Sequence, residues 1–494
     1  MNILKQAIKI IFVFMFIYIL ILLLGFDNVN YYAKKTHLIN NIYSIFFIVT
    51  VFIILFLFNL KKEISNKLFI KLMLLISFIV FVFQFIVIRY GLFYSCWDAG
   101  KVYGISEDIF YYGRINDIKY LTMYPNNIFL VSILVMIKSI PLIGTKYITT
   151  LVFNILLVNL SGIFASLTIK NILNNRLVAL LSYLVLFPLI LISPWILIPY
   201  SDTFAILFPI LMIYIYSKDQ RNNLTYFIIG FISIVGFLIK PTVIIVTIAI
   251  LLLEFMNLFD NMKNKTKLKK QILFFVFVFS GMLLSYSFKY ISRNYIGFKP
   301  DKNIVEFNLT HYLAMGENDY TNGIYSKDDV DDSLKHGMKI NIPKFKQRIT
   351  SRSLLGQIKF FSKKTLINYN ESAFAWGGEG NFYCKTDESR GKIQPIIRNI
   401  YYESGKYYDI FISFLHWIWL FTIFFMPYIV KRNNKDSEML IILSIVGINL
   451  FLTIFECRSR YLYCYSPVYV VCSVIGIYNL KTKIHMKFIS KGGV

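Results

Sequence analysis

Four short stretches carry charge where a strongly apolar chain has little reason to keep it. Asp98 stands in Tyr94-Ser-Cys-Trp-Asp-Ala-Gly-Lys-Val-Tyr103, just past the apolar run Leu68 to Ile88. Asp202 stands in Pro199-Tyr-Ser-Asp-Thr203 and Lys240 in Lys240-Pro-Thr242. Glu456, Arg458, Arg460 and Tyr461 share the stretch Glu456-Cys-Arg-Ser-Arg-Tyr461. Ionised groups this close to hydrocarbon are costly and are functional candidates by default. The chemistry they support is a single displacement. A carboxylate takes the proton of an attacking hydroxyl, and cations hold a departing phosphate. Arg suits the second task because its planar fork binds two oxygens at once. Asp98 is therefore the candidate catalytic base. Asp202, Lys240, Arg458, Arg460, Tyr461, Glu456, Tyr124, Asn127 and Lys101 are the candidate substrate-binding residues. A monophosphate held this way implies no metal and no cofactor, although a divalent ion near Asp98 and Asp202 stays open.

Each residue also has a plainer reading. Asp98 suits a loop surface. Asp202, between Ser201 and Thr203, suits a helix N-cap. Lys240-Pro241 suits a turn between spans, with the lysine snorkelling to the interface. Glu456 suits a partner for one of the arginines. The cluster Phe374-Ala-Trp-Gly-Gly-Glu-Gly-Asn-Phe-Tyr383 suits a sugar-stacking surface or an aromatic–glycine turn equally well. His37, His311, His336, His416 and His485 are scattered, without metal-ligand spacing. Of the five cysteines, Cys96 and Cys384 share a side, where a disulfide and two free thiols are both open.

The elements that must position these residues follow from composition. The chain has 494 residues, is 57% hydrophobic and 18% aromatic, and has a mean hydropathy of +0.60. Apolar runs of about 18 or more residues exclude a soluble protein, and the lack of short alternating segments excludes a β-barrel. The net charge of +25 would suggest nucleic acid on a soluble protein. Here the excess sits in short loops, the positive-inside pattern, and no nucleic-acid partner is expected. The predicted class is an all-α polytopic membrane protein, multi-pass in the plasma membrane.

Two N-terminal spans occupy 1–67, over Ile8 to Leu24 and Asn40 to Leu60. A helical module follows over 68–291, with a first external loop at 90–148. Within that loop Ile128 to Ile140 is apolar for about a dozen residues, against the roughly 20 a span needs. It is read as an interfacial helix opened by Pro125. Spans then run over Tyr147 to Ile169, Leu177 to Leu197, Phe204 to Tyr216, Tyr226 to Leu238, Val243 to Leu258 and Ile272 to Tyr290. A second external segment, 292–407, is long enough for a small domain. Spans over Ile410 to Ile429, Met439 to Phe455 and Leu462 to Tyr478 make up 408–480, and 481–494 is a cytoplasmic tail. About twelve spans result. Loop charges alone set this parity, yet it brings Asp98, Asp202, Lys240 and the Glu456–Tyr461 stretch to one outer face.

The order of Trp97-Asp98, Tyr124-Pro125-Asn126-Asn127, Tyr200-Ser-Asp-Thr203, Lys240-Pro-Thr242 and Arg458-Ser-Arg-Tyr461, with Pro467 beyond, resembles the GT-C superfamily of polyprenyl-phosphate-sugar-dependent glycosyltransferases. That superfamily includes the protein O-mannosyltransferases and the lipid A aminoarabinose transferase. The resemblance covers roughly residues 68–480. It implies a GT-C-like bundle with two large extracytoplasmic loops and an extracytoplasmic active site. It implies Asp98 as base, with Lys240, Arg458 and Arg460 at the phosphate. The chain departs in having two spans before the one leading to Asp98, and a lone Asp where the protein mannosyltransferases have Asp-Glu. The second departure favours a glycan acceptor. The expected partners are a polyprenyl-phosphate-linked sugar, an envelope glycan (wall polysaccharide, teichoic acid or capsule) and membrane lipid. A flippase for lipid-linked oligosaccharides would need charged spans and pseudo-symmetric halves. A glycan polymerase or ligase would differ in using a diphosphate-linked donor.

Overall fold

The structure is a computed structural model and describes residues 2–26, 38–57, 63–140, 145–261, 264–377, 383–386 and 391–491. It is a helical bundle carrying one two-stranded ribbon among the described residues. Seven described helices are long and apolar enough to cross a membrane: Ile3–Gly25, Asn66–Gly91, Lys146–Leu173, Pro241–Asp260, Lys265–Tyr295, Tyr408–Ile429 and Asp436–Ile454. The other five expected spans fall on different elements. Four coincide with shorter apolar helices, Asn41–Leu55, Arg176–Leu191, Ser201–Tyr216 and Asn223–Ile239. The last lies in Ser466–Lys491, whose apolar first half is buried throughout. The helix on the second expected span runs over Leu38–Leu57, 20 residues, whereas Arg176–Leu191, Ser201–Tyr216 and Asn223–Ile239 are too short to reach across hydrocarbon unaided. Most of them are enclosed by longer neighbours.

The expected single span over 177–197 is broken. The chain runs as Arg176–Leu181, Tyr183–Leu186, a π turn over Phe187–Leu191 and a 3-10 turn over Pro194–Leu197. Pro188 and Pro194 lack an N–H and cannot continue an α-helical ladder. The carbonyls freed by the breaks are met from other helices. Gln84 Nε2 donates to Leu191 O at 2.7 Å, Tyr401 OH to Ile192 O at 2.7 Å, and Asn154 Nδ2 to Ile196 O at 2.9 Å. Irregular backbone survives at this depth because protein, not lipid, surrounds it.

Hydrogen bonds draw the basic loops to one end. Lys5 Nζ reaches Asn257 Oδ1 at 2.8 Å, and Lys9 Nζ reaches the carbonyl oxygen of Lys431 at 2.9 Å. Lys170 reaches Asn66 at 3.3 Å, Arg176 reaches Ile64 O at 3.1 Å, and Lys481 reaches Leu55 O at 2.8 Å. The expected marker Lys61-Lys62 lies outside the described residues, as do Gly378 to Phe382 of the aromatic–glycine cluster. From this end Asn66–Gly91 and Lys146–Leu173, of 26 and 28 residues, run to the opposite end, about 40 Å away at 1.5 Å per residue. There lie Asp98, Asp202, Lys240 and Arg460.

The segment 292–407 is largely helical, with Leu309–Gly316, Lys327–His336, Asn341–Thr350, Leu354–Tyr369 and Ile393–Tyr401. It is fastened to the bundle rather than tethered beside it. Lys364 is buried, and its ammonium donates to Gly316 O, Thr453 O and Phe455 O at 2.7, 2.8 and 2.9 Å. It thereby neutralises the C-terminal carbonyls of Asp436–Ile454. Trp376 is fully buried. It donates to Tyr401 O at 2.7 Å and packs edge-on against Trp195 at 5.7 Å. This corrects the sugar-stacking reading: the indole is part of the core.

Two buried groups set an acid response for this segment. Burial alone would raise the Asp329 carboxyl, but hydrogen bonds from Arg348, Asn318 and Lys344 outweigh it and hold it down at about 2. Arg348 grips it at 2.7 and 3.0 Å. Burial pushes His311 down to about 4, and its ring lies on Phe307 at 4.2 Å and meets Ser333 Oγ at 2.9 Å. In both cases the unfolded chain binds the proton first, so stability falls with acid. The His311 share is lost as pH drops from about 6.5 to about 4, and the Asp329 share, on the order of 2 kcal/mol, from about 4 to about 2. The thermal midpoint of detergent-purified protein should fall across both windows, and Asp329→Asn should flatten the lower one.

Candidate functional site

Asp98 opens the helix Asp98–Tyr112, where a carboxylate faces the positive end of the helix dipole. The chain enters from strand β1, Phe93–Ser95, paired antiparallel with β2, Tyr383–Thr386. Cys96, one residue beyond β1, is in a disulfide. The side chain of Cys384, on β2, lies outside the described residues. Gly100 allows the first helical turn to fold back on β1: a Cβ there would lie 1.8 Å from Ser95 O. Strand, disulfide and turn together fix where the carboxylate stands.

Phenols surround that carboxylate. Tyr120 hydrogen-bonds Asp98, and Asn127 Nδ2 donates to the Tyr120 hydroxyl at 3.0 Å. Tyr200 OH lies 3.5 Å from Asn127 Oδ1. Tyr124 and Tyr325 also feel the Asp98 charge. Burial, reinforced by that charge, pushes all four phenols above their usual value, so they remain proton donors.

The cations come from the stretch Glu456–Tyr461. Arg460 is 5% exposed, and its guanidinium lies 4.3 Å from the Trp97 ring and 5.8 Å from that of Tyr200. A desolvated guanidinium stacked on an indole keeps its planar fork oriented. Glu456 accepts from Arg458 Nε at 2.8 Å and from Tyr461 OH at 3.2 Å. Arg458 lies 5.8 Å from the Tyr325 ring. The loop that carries these groups is pinned by the segment 292–407. Glu456 N–H donates to Tyr312 O at 3.1 Å and Cys457 N–H to Gly323 O at 2.9 Å.

Beneath the arginines lies a buried ion pair. Lys240 Nζ stands 2.6 Å from Asp202 Oδ1 and 4.5 Å from the Tyr461 ring. Both side chains are buried. Asp202 Oδ2 is buried with no hydrogen-bond partner. Two plainer sequence readings are corrected here. Asp202 is not the N-cap of Ser201–Phe204, since Tyr200 holds that position. Lys240 does not snorkel, because a carboxylate waits for it inside.

Of the ten predicted site residues, Asp98, Tyr124, Asn127, Asp202, Lys240, Glu456, Arg458, Arg460 and Tyr461 are brought into one connected cluster. Lys101 is not drawn in with the arginines. It is half exposed, its ammonium 3.4 Å from Asp117 and 5.5 Å from the Tyr120 ring. It lies one turn along the helix from Asp98, and there the side chain leaves the cluster. Sequence reasoning passed over Tyr120 and Tyr325. Tyr120 and Tyr124 stand four apart, the spacing of one helix face. Among the described residues no three His, Cys, Asp or Glu side chains group to hold a metal ion.

Long apolar helices with a polar cluster gathered at one end define a polytopic integral membrane protein. The chain belongs to the family described as conserved hypothetical integral membrane protein, whose model matches residues 1–480. No curated protein matches it.

Proposed function

We propose that this chain is an inverting glycosyltransferase of the GT-C type, a hexosyltransferase. It moves a sugar from a polyprenyl-phosphate donor to a cell-envelope glycan on the outer face of the plasma membrane. The observation that carries the reading is the convergence on Tyr200 of Asp98, held by Tyr120, and Arg460, stacked on Trp97. In the step, the acceptor oxygen bonds to the anomeric carbon while the bond from that carbon to the phosphate oxygen breaks. Asp98 takes the acceptor proton, and the phosphate leaves with the electron pair. Arg460 and Arg458 offset the charge that develops on the phosphate. The anomeric configuration inverts because one face is attacked as the other is vacated.

The outer-face assignment is supported by the disulfide at Cys96, since such bonds persist in oxidising compartments. The basic loops at the other end of the bundle support it as well. The test is turnover of synthetic polyprenyl-phosphate sugars by detergent-purified protein, with and without a chelator. Release of polyprenyl phosphate in both conditions is the expected result. Turnover of diphosphate-linked donors alone would move the protein to the polymerases and ligases. Turnover of neither class would overturn the reading.

A further inference from the structure

A cavity with polar walls lies against Ala99 and Gly100 in the first turn of Asp98–Tyr112, and none of its lining residues belongs to the Asp98 cluster. Its volume is about 100 Å³, and its walls are Tyr94, Ser95, Gly104, Tyr103, Glu107 and Tyr147 with Pro199 at the edge. One water needs only about 10–15 Å³, so the space suits an organic group. Three rings enclose it: Tyr94 and Tyr103 each lie 4.7 Å from Tyr147, at 37° and 88°.

The polar atoms in this wall are short of partners. Ser95 Oγ is buried without a hydrogen-bond partner, and the buried Tyr103 hydroxyl turns to the Glu107 carboxylate across the same wall. The Tyr103 side chain is 4% exposed. Buried hydroxyls normally find a partner, so an orphaned Ser95 Oγ beside the Tyr103–Glu107 pair points to a ligand that supplies one. Glu107 adds a carboxylate. Behind the wall the buried ammonium of Lys138 lies 3.6 Å from the Tyr103 ring and bonds Ser106 Oγ. Burial lowers the pKa of that amine while the Glu107 charge holds it up, so it offsets the carboxylate in part and a strongly charged ligand of either sign is disfavoured. A neutral ligand with several hydroxyls and apolar C–H faces fits best. The hydroxyls would meet Glu107, Ser95 and Tyr103, and the C–H faces would lie on the phenol rings.

We infer that this cavity binds one sugar residue of the acceptor glycan. The inference rests on the transferase reading for its biological sense, and on the cavity alone for the binding. Pro199 and Tyr200 are adjacent in sequence, the first lining this cavity and the second facing Asp98. A glycan anchored here would thus present its next hydroxyl toward the base.

Gly104 provides the test, because a Cβ there meets nothing within 4 Å. Gly104→Ala should fold normally, Ala being the better helix residue. Gly104→Leu should fill the cavity. The probe is a mixture of wall-polysaccharide and teichoic-acid fragments released from the cell envelope. The readout is the shift they cause in thermal midpoint. Wild type, Gly104→Ala and Asp98→Asn should all shift, Gly104→Leu should not, and Tyr103→Phe should shift less. A full shift in Gly104→Leu, or none in wild type, would overturn the inference. If the transferase reading alone is wrong, donor turnover is absent while the pattern of shifts remains.

Discussion

If the proposed transferase reading holds, replacing Asp98 by Asn should all but stop sugar transfer and leave the protein in the membrane at wild-type abundance. The isosteric amide keeps the volume and can still bond Tyr120, but it cannot take a proton. Loss of a positioned base costs about 10²–10⁴ in rate. Polyprenyl-phosphate release from a synthetic donor, compared between wild type and Asp98→Asn at equal amounts, measures this. A variant within a factor of two of wild type would remove Asp98 as base. The phenols should not substitute for it, since burial keeps Tyr120 and Tyr200 protonated.

The second large effect concerns folding. Lys240→Met leaves the Asp202 carboxylate buried with neither oxygen paired to a cation. Breaking a buried pair from one side costs about 3–5 kcal/mol, and removing both charges costs far less. Lys240→Met should therefore be recovered from membranes at greatly reduced yield, with a lowered thermal midpoint. The double variant Asp202→Asn with Lys240→Met should regain most of both. The double variant also separates two roles. If it folds and transfers sugar, the pair is a support beneath Tyr461. If it folds and is inactive while Asp98 is intact, Lys240 acts on the substrate.

Which residues share one end of the bundle was the most legible property of this sequence. Parity depends only on which loops are basic, and each misjudged helix boundary leaves it unchanged. That is why nine of the ten chosen residues meet in the structure although the lengths of several spans were misjudged. The broken stretch 176–197 was not legible as such. Its prolines announce a disturbance, but the groups that satisfy the exposed carbonyls, such as Gln84 and Tyr401, are more than a hundred residues away in sequence. Tyr120 and Tyr325 were hidden for a different reason. The chain has 35 tyrosines, so residue type alone singles out none of them. Trp376 misled in the other direction: an aromatic among glycines resembles a binding loop until its indole N–H is found bonded to a carbonyl inside the core. Lys364 gave no signal at all, because what it caps is a helix end 89 residues later.

That cap bears on the order in which the molecule is made. A ribosome delivers Asp98 early, and the external segment reaches its destination while Asp436–Ile454 is still unmade. Until then the Lys364 ammonium lacks Thr453 O and Phe455 O and keeps its water, and neither Arg458 nor Arg460 exists. Arrival of the last hairpin supplies both the carbonyls that receive Lys364 and the arginines that face Asp98. Closure of the bundle and assembly of the polar cluster thus coincide: a chain that stalls before its final two helices carries an exposed lysine-bearing helix and an incomplete cluster.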